Sequence, residues 1–136
     1  MISLSTDDQE RLNSICERHR VRLLVAFGSR VTDRAHAASD VDLAVLQEGR
    51  SDDEMDLWGD LETIFPRHGV DVVWLYRADA LLLFHVFRHA QLLYGDRETF
   101  LRYELYAWRR FVEYERFFAL EADAVRRGIE RLRHAG

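Results

Sequence analysis

Apolar positions along the chain first recur at helical spacing. Leu12, Ile15, Cys16 and His19 follow Thr6, and Gln9 stands three residues after Thr6 in capping-box spacing, so a helix is predicted over 6–20. Residues 21–27, Val-Arg-Leu-Leu-Val-Ala-Phe, then run almost unbroken in apolar character, the pattern of a strand buried on both faces, and Gly28-Ser29 stops them. A polar stretch, 30–39, leads to a second predicted strand, 41–46, entered through Asp40. Ser51 and Glu54 form another capping-box pair, opening a helix with Met55, Trp58, Leu61, Ile64 and Phe65 on one side until Pro66 and Gly69 end it. A third strand is predicted over 70–75. Beyond it the period becomes helical again: an apolar helix over 79–93, a break at Gly95-Asp96, and a long helix over about 97–134. The expected order is helix, strand, strand, helix, strand, helix, long helix: a small α/β core with an α-helical tail.

Composition narrows what such a core can be. At 136 residues and 16.1 kDa there is room for one domain with a helical extension. The 48% hydrophobic content with a single proline is that of a chain able to offset its conformational entropy. A net charge of -5 gives no general attraction to nucleic-acid phosphates, so no direct nucleic-acid partner is expected. All 19 basic residues are arginine, so phosphate contacts must use guanidinium and no lysine nucleophile exists. One cysteine, Cys16, excludes an internal disulfide and a cysteine-based zinc site. The sequence shows no signal-peptide pattern and no apolar run of membrane-spanning length; a cytoplasmic protein with no membrane partner is the expectation.

The residues that carry chemistry are Gly28-Ser29, then ten residues, then Asp40-Val41-Asp42, with Asp71 at the start of the next predicted strand. Glycine at a strand end turns without a Cβ penalty and presents backbone N–H groups to phosphate oxygens, with the Ser29 hydroxyl beside them. Asp40 and Asp42 stand two apart and project from one face of a strand. Paired acids repel unless a divalent cation lies between them, and a hard oxygen-liganded ion such as Mg²⁺ keeps room for substrate phosphates. Asp71 adds a third carboxylate if its strand lies beside the second, able to complete a metal site or take the proton of an attacking hydroxyl.

The stretch Phe27-Gly28-Ser29-Arg30 through Ser39-Asp40-Val41-Asp42-Leu43-Ala44-Val45 resembles the signature of the minimal nucleotidyltransferases of the polymerase-β-like superfamily, especially the MntA-like antitoxins of HEPN/MNT toxin–antitoxin pairs. The likeness extends along most of the chain. The family's third acid falls in a Val-Asp-Val-Val segment, as Asp71 does, and Gln91-Leu92-Leu93-Tyr94-Gly95 resembles its helix end before the C-terminal helix. The resemblance implies a polymerase-β-like α/β (α+β) core over 1–96, with a small mixed sheet flanked by helices, and a helical extension over 97–136. It also implies Mg²⁺-dependent transfer of AMP from ATP to a hydroxyl, with Gly28 and Ser29 on the triphosphate and Asp40, Asp42 and Asp71 as catalytic and metal-binding carboxylates. In antitoxins of this type the acceptor is a tyrosine of the HEPN RNase toxin, which AMPylation silences. The loop departs from the family pattern at two places: Asp33 stands where a glycine is common, and Ala37-Ala38 replace the usual proline.

Other residues carry two readings each. Arg30, next to Ser29, reaches a nucleotide phosphate or lies on the surface, and Ser39 orients Asp40 or caps a turn. His85 and His89 have metal-like spacing but no third ligand, which favours a packed helix edge over a zinc site. Tyr103, Tyr106, Trp108, Phe111, Tyr114, Phe117 and Phe118 nearly encircle the tail helix, more than one core-facing stripe requires. This predicts a mixture of packing on the 79–93 helix and an interface for a partner or a second copy. Two other functions compete with AMP transfer to a toxin: neutralisation of a partner by occlusion without essential catalysis, and nucleotidyl transfer to a small molecule such as an antibiotic. No second domain to close over a small substrate is expected, which weighs against the latter.

Overall fold

The computed structural model describes residues 1–31, 40–49 and 53–135. Thr32, Asp33, Ala37-Ala38 and Ser39, like Ser51, lie outside them, and with them the readings placed on that loop and on the Ser51 cap. Nine elements follow in order: α1 (Thr6–Arg18), β1 (Val21–Phe27), β2 (Val41–Gln47), α2 (Glu54–Glu62), β3 (Val70–Trp74), a single 3₁₀ turn (Leu75–Arg77), α3 (Ala80–Phe87), β4 (Gln91–Gly95) and α4 (Arg97–Ala135). Among the described residues no helix is long and apolar enough to cross a membrane.

The four strands form one mixed sheet in the order β3-β2-β1-β4, with β2 antiparallel to β1, β4 antiparallel to β1, and β3 parallel to β2. Leu23, Leu24, Val25 and Ala26 of the central strand β1 are fully buried, as the unbroken apolar run requires. Odd and even positions then serve two cores. Leu24, Ala26, Val41, Leu43, Val45, Val70 and Val72 pack under α1 and α2 with Leu12, Ile15, Cys16, Leu57 and Leu61. Leu23, Val25, Phe27 and Ala44 face α3 and the start of α4, meeting Leu83, Val86, Phe87, Phe100 and Ala107. Each such leucine removed from water contributes about 1.5–3 kcal/mol. Burial also pushes the Cys16 thiol up to about 12.

Several local expectations are corrected. Ser5, not Thr6, caps α1, its side chain accepting from the Asp8 N–H at 3.1 Å. In α2 the residue before the helix is Asp53, whose side chain makes no capping bond; Trp58, Leu61, Ile64 and Phe65 face the core as read, but Leu57, one position before Trp58, fills the place given to Met55, which is exposed. The predicted 79–93 helix is two elements. Helix α3 ends at Phe87, and Gln91–Gly95 is the strand β4 rather than a helix end. A five-residue apolar run has no period that separates helix from strand; the open edge of β1 decides. The Ile2 N–H donates to Gln91 Oε1 at 2.8 Å and Gln91 Nε2 donates back to the Ile2 carbonyl, tying the N-terminal segment to β4.

The tail is one helix of 39 residues, about 58 Å long at ~1.5 Å per residue. Asp96 opens it, its carboxylate accepting from the N–H groups of Glu98 and Thr99 at 3.0 and 3.1 Å. The side-chain hydroxyl of Thr99 also donates to this carboxylate and, with these backbone bonds, holds it below the usual range. Its first half packs on α3: Phe84 stacks on Phe111 with centroids 3.9 Å apart, and Phe87 meets Phe100 and Tyr103. Beyond Tyr114 no described residue covers it: Phe117 is 64% exposed and Phe118 58%. The packing part of the expectation is met along the first half of the helix, while Leu105, Trp108, Phe117 and Phe118 stay exposed.

Candidate active site

One end of the sheet gathers every predicted site residue except one. Strand β1 ends there, β2 and β3 begin there, and Phe27 pairs with Asp42 while Asp42 pairs with Asp71 in parallel register. Register partners on neighbouring strands share a face, so Asp42 and Asp71 stand side by side on the face that carries α3. The third carboxylate that the sequence could place only conditionally is thus brought in by the β2–β3 pairing.

Two glycines shape the acids. Gly28 turns the chain at φ +80°, a conformation costly for any residue with a Cβ, and its carbonyl accepts from the Val31 N–H at 3.2 Å. A Cβ at this position would press into Asp42 Oδ2, with Asp42 Cγ only 3.4 Å away. Gly69 plays the same part for the other acid: a Cβ there would meet Asp40 Oδ1, with Cγ at 3.0 Å. Asp42 therefore leans over the end of β1 and Asp40 over the residue before β3. Among the described residues no three His, Cys, Asp or Glu side chains converge on one point.

Electrostatics mark Asp42. Desolvation raises its carboxyl above the ordinary value, the charges of Asp71 and Asp40 raise it further, and His85 on α3 opposes them. Among the described residues no arginine pairs with Asp40, Asp42 or Asp71. Asp42 and Asp71, side by side with Asp40 near by, are hard oxygen donors of the type that suits a divalent cation such as Mg²⁺, although no three of the described side chains converge to hold one.

The surroundings of Gly28-Ser29 were only partly foreseen. A cleft of about 650 Å³ opens beside them, and its opposite side is the end of α3, with His85, Arg88 and His89. The antiparallel pairing of Ala26 with Gln91 brings this helix end beside the end of β1, and His85 sets its ring edge-on to Phe27 at 5.8 Å. The 85/89 spacing was visible in the sequence, but not that it faces the glycine turn. Arg30 goes elsewhere. Its Nη2 donates to Nδ1 of His68 at 2.6 Å, in a separate cleft of about 710 Å³ lined by the N-terminal residues and Pro66.

The fold has counterparts. A chain of a toxin–antitoxin crystal structure with AMP-PNP superposes with a TM-score of 0.71 at 21% identity, over 86% of this chain and 97% of that one. A chain of an MntA–HepT toxin–antitoxin structure gives 0.66 at 18% identity, over 89% and 98%. A chain from the tri-AMPylated Shewanella oneidensis HEPN toxin in complex with MNT antitoxin gives 0.65 at 19%, over 87% and 95%. At these identities the likeness shows a shared fold. A search of curated protein sequences returns no match. The family model described as polymerase beta, nucleotidyltransferase matches residues 10–99. That span holds the glycine turn, all three acids and every strand of the sheet, and the chain belongs to the polymerase beta nucleotidyltransferase family.

Proposed function

We propose that this chain is a Mg²⁺-dependent nucleotidyltransferase that moves AMP from ATP onto a hydroxyl of a partner protein, a tyrosine of a HEPN-type toxin, and so acts as its antitoxin. The observation that carries the reading is the register pairing of Asp42 with Asp71 beside the Gly28-Ser29 turn. In this reading Gly28 and Ser29 hold phosphate oxygens, and Asp40 and Asp42 hold Mg²⁺ with Asp71 as the third carboxylate. When bound, Mg²⁺ neutralises charge on the triphosphate. Asp71, exposed at the sheet end, takes the proton of the acceptor hydroxyl as its oxygen bonds to the α-phosphorus. The bond from that phosphorus to the bridging oxygen breaks, and pyrophosphate leaves with the electron pair. Positioning and charge neutralisation supply the catalysis, so no serine or cysteine nucleophile is needed.

Support for the substrate comes from structural neighbours, one with AMP-PNP and one with a tri-AMPylated HEPN toxin beside an MNT antitoxin. Support for a protein partner comes from α4. Helix α4 is the helical extension, and the exposed Phe117, Phe118, Leu120 and Val125 give it an apolar surface to offer. The same surface favours a second reading, neutralisation by occlusion alone.

Intact-mass measurement of a HEPN protein co-expressed with this chain separates the two. A mass gain in whole AMP units, lost with Asp40→Asn/Asp42→Asn, is the expected result. An unmodified partner that co-purifies equally with both forms would replace catalysis by occlusion.

A further inference from the structure

Helix α4 carries two apolar stripes. Phe100, Tyr103, Ala107 and Phe111 pack toward the sheet and α3. Beside them Leu101, Leu105, Trp108 and Val112 are exposed, and the first three line a groove of about 560 Å³ against Phe84 and Phe87. This second stripe continues along the uncovered half of the helix through Phe118, Ala122, Val125, Ile129 and Leu132, all exposed. Its steps are three or four residues throughout, with Glu115 as the one polar position between Val112 and Phe118. A stripe of that period, kept up from 101 to 132, winds slowly around a helix as the seam of a left-handed pair does.

The stripe matches itself when reversed. A two-fold axis crossing α4 between Arg116 and Phe117 runs a second copy antiparallel. It sets Leu101 level with Leu132 of that copy, Leu105 with Ile129, Trp108 with Val125, and Val112 with Ala122. Each contact is then made twice, as a two-fold interface requires. Parallel helices would instead oppose Glu115 to its own copy in the middle of the seam, whereas the antiparallel pair puts Phe118 opposite each Glu115. The stripe is about 47 Å long at ~1.5 Å per residue and about 10 Å wide, so the pair covers roughly 1,000 Å² in all, the least that a specific interface needs. A partner reaching only the half beyond Tyr114 would leave Leu101, Leu105 and Trp108 in water. We propose that α4 pairs antiparallel with α4 of a second copy of this chain through the stripe from Leu101 to Leu132. Phe117 and Leu120 fall outside the seam and stay available to a different protein.

Sedimentation equilibrium of the full chain alone tests this, with a dimer of dissociation constant on the order of 10 μM expected. Val125→Glu/Ile129→Glu should weaken it by about tenfold or more while circular dichroism keeps the wild-type helix content, since both positions are exposed. Phe117→Glu/Leu120→Glu, equally apolar and exposed but off the seam, should change it by less than about twofold on the same scale. Orientation is read by oxidative crosslinking, for which the buried Cys16 is a silent background. Leu101→Cys mixed with Leu132→Cys should crosslink, and each variant alone should not. A chain that stays monomeric at on the order of 100 μM overturns the proposal. So does equal weakening by the two glutamate pairs, which would mark unspecific apolar association, and so does crosslinking of each cysteine variant to itself, which would mark parallel helices. A monomer that binds a HEPN protein and loses it in Val125→Glu/Ile129→Glu overturns it by giving the stripe to that partner. Each of these failures leaves the nucleotidyltransferase reading standing, because the acids at the sheet end take no part in the pairing.

Discussion

Replacing Gly28 by alanine adds one carbon at a position where two costs meet. The backbone sits at φ +80°, and an L-residue held in the left-handed region costs about 1–2 kcal/mol. Alanine also reduces the freedom of the unfolded chain, which returns about 0.4–1 kcal/mol, so the net destabilisation is about 1 kcal/mol. For a chain of this length that lowers Tm by ~3–5 °C. The new Cβ also displaces the Asp42 carboxylate that leans over it, and a misplacement of about 1 Å at a reacting centre costs on the order of 100-fold in rate. Gly69→Ala provides the contrast. Its Cβ strikes Asp40 in the same manner, but Gly69 has no positive φ. Its stability should stay within about 0.5 kcal/mol of wild type because the entropy gain offsets the movement of an exposed side chain. Its transfer rate should fall as steeply as that of Gly28→Ala. Urea unfolding and initial rates of AMP incorporation, measured on both variants, read the two effects separately. A wild-type rate in Gly28→Ala, or equal destabilisation of the two variants, would refute the reasoning.

Two further outcomes are expected. Asp42 and Asp71 are neighbours across parallel strands at about 5 Å, where like charges repel by roughly 1–3 kcal/mol between water-like and surface dielectrics. Asp42→Asn should therefore raise stability in chelator at pH 7 by about 1 kcal/mol while abolishing transfer. Because the folded-state carboxyl titrates above its ordinary value of 3.8, wild-type stability falls as pH rises through that window. The variant's advantage is thus full above it and lost as pH drops toward 3.8. Urea unfolding across pH checks this, and an advantage independent of pH would contradict it. Cys16, fully buried with its thiol raised to about 12, should resist iodoacetamide at pH 8 and react once urea unfolds the chain, as mass spectrometry will read.

Elements with a strong period or an unambiguous stop were legible in the sequence. β1 ends where Gly28 interrupts an apolar run, β2 begins where Asp40 gives way to Val41, and α4 runs from a Gly-Asp break with apolar residues every three or four positions. The acids of the candidate site stood out because carboxylates at the head of an apolar strand are costly without a use. Less was legible where two states share one pattern. Gln91–Gly95 reads equally well as a helix end and as a strand, and only the unfilled edge of β1 makes it β4.

The sequence by itself determined the local grammar of this protein: the central strand, the glycine turn, the three acids and the long helix, each set by spacing, backbone freedom or capping chemistry within a few residues. What joins residues distant in the chain was decided by the tertiary structure. Pairing β2 with β3 brings Asp71, 29 positions on, beside Asp42. Adding β4 to the sheet turns His85, Arg88 and His89 toward Gly28-Ser29 and leaves Arg30 facing His68. Packing on α3 covers the aromatic tail helix only as far as that short helix reaches. Sheet order and helix docking minimise exposed apolar area over the whole chain, so no window of neighbouring residues contains them.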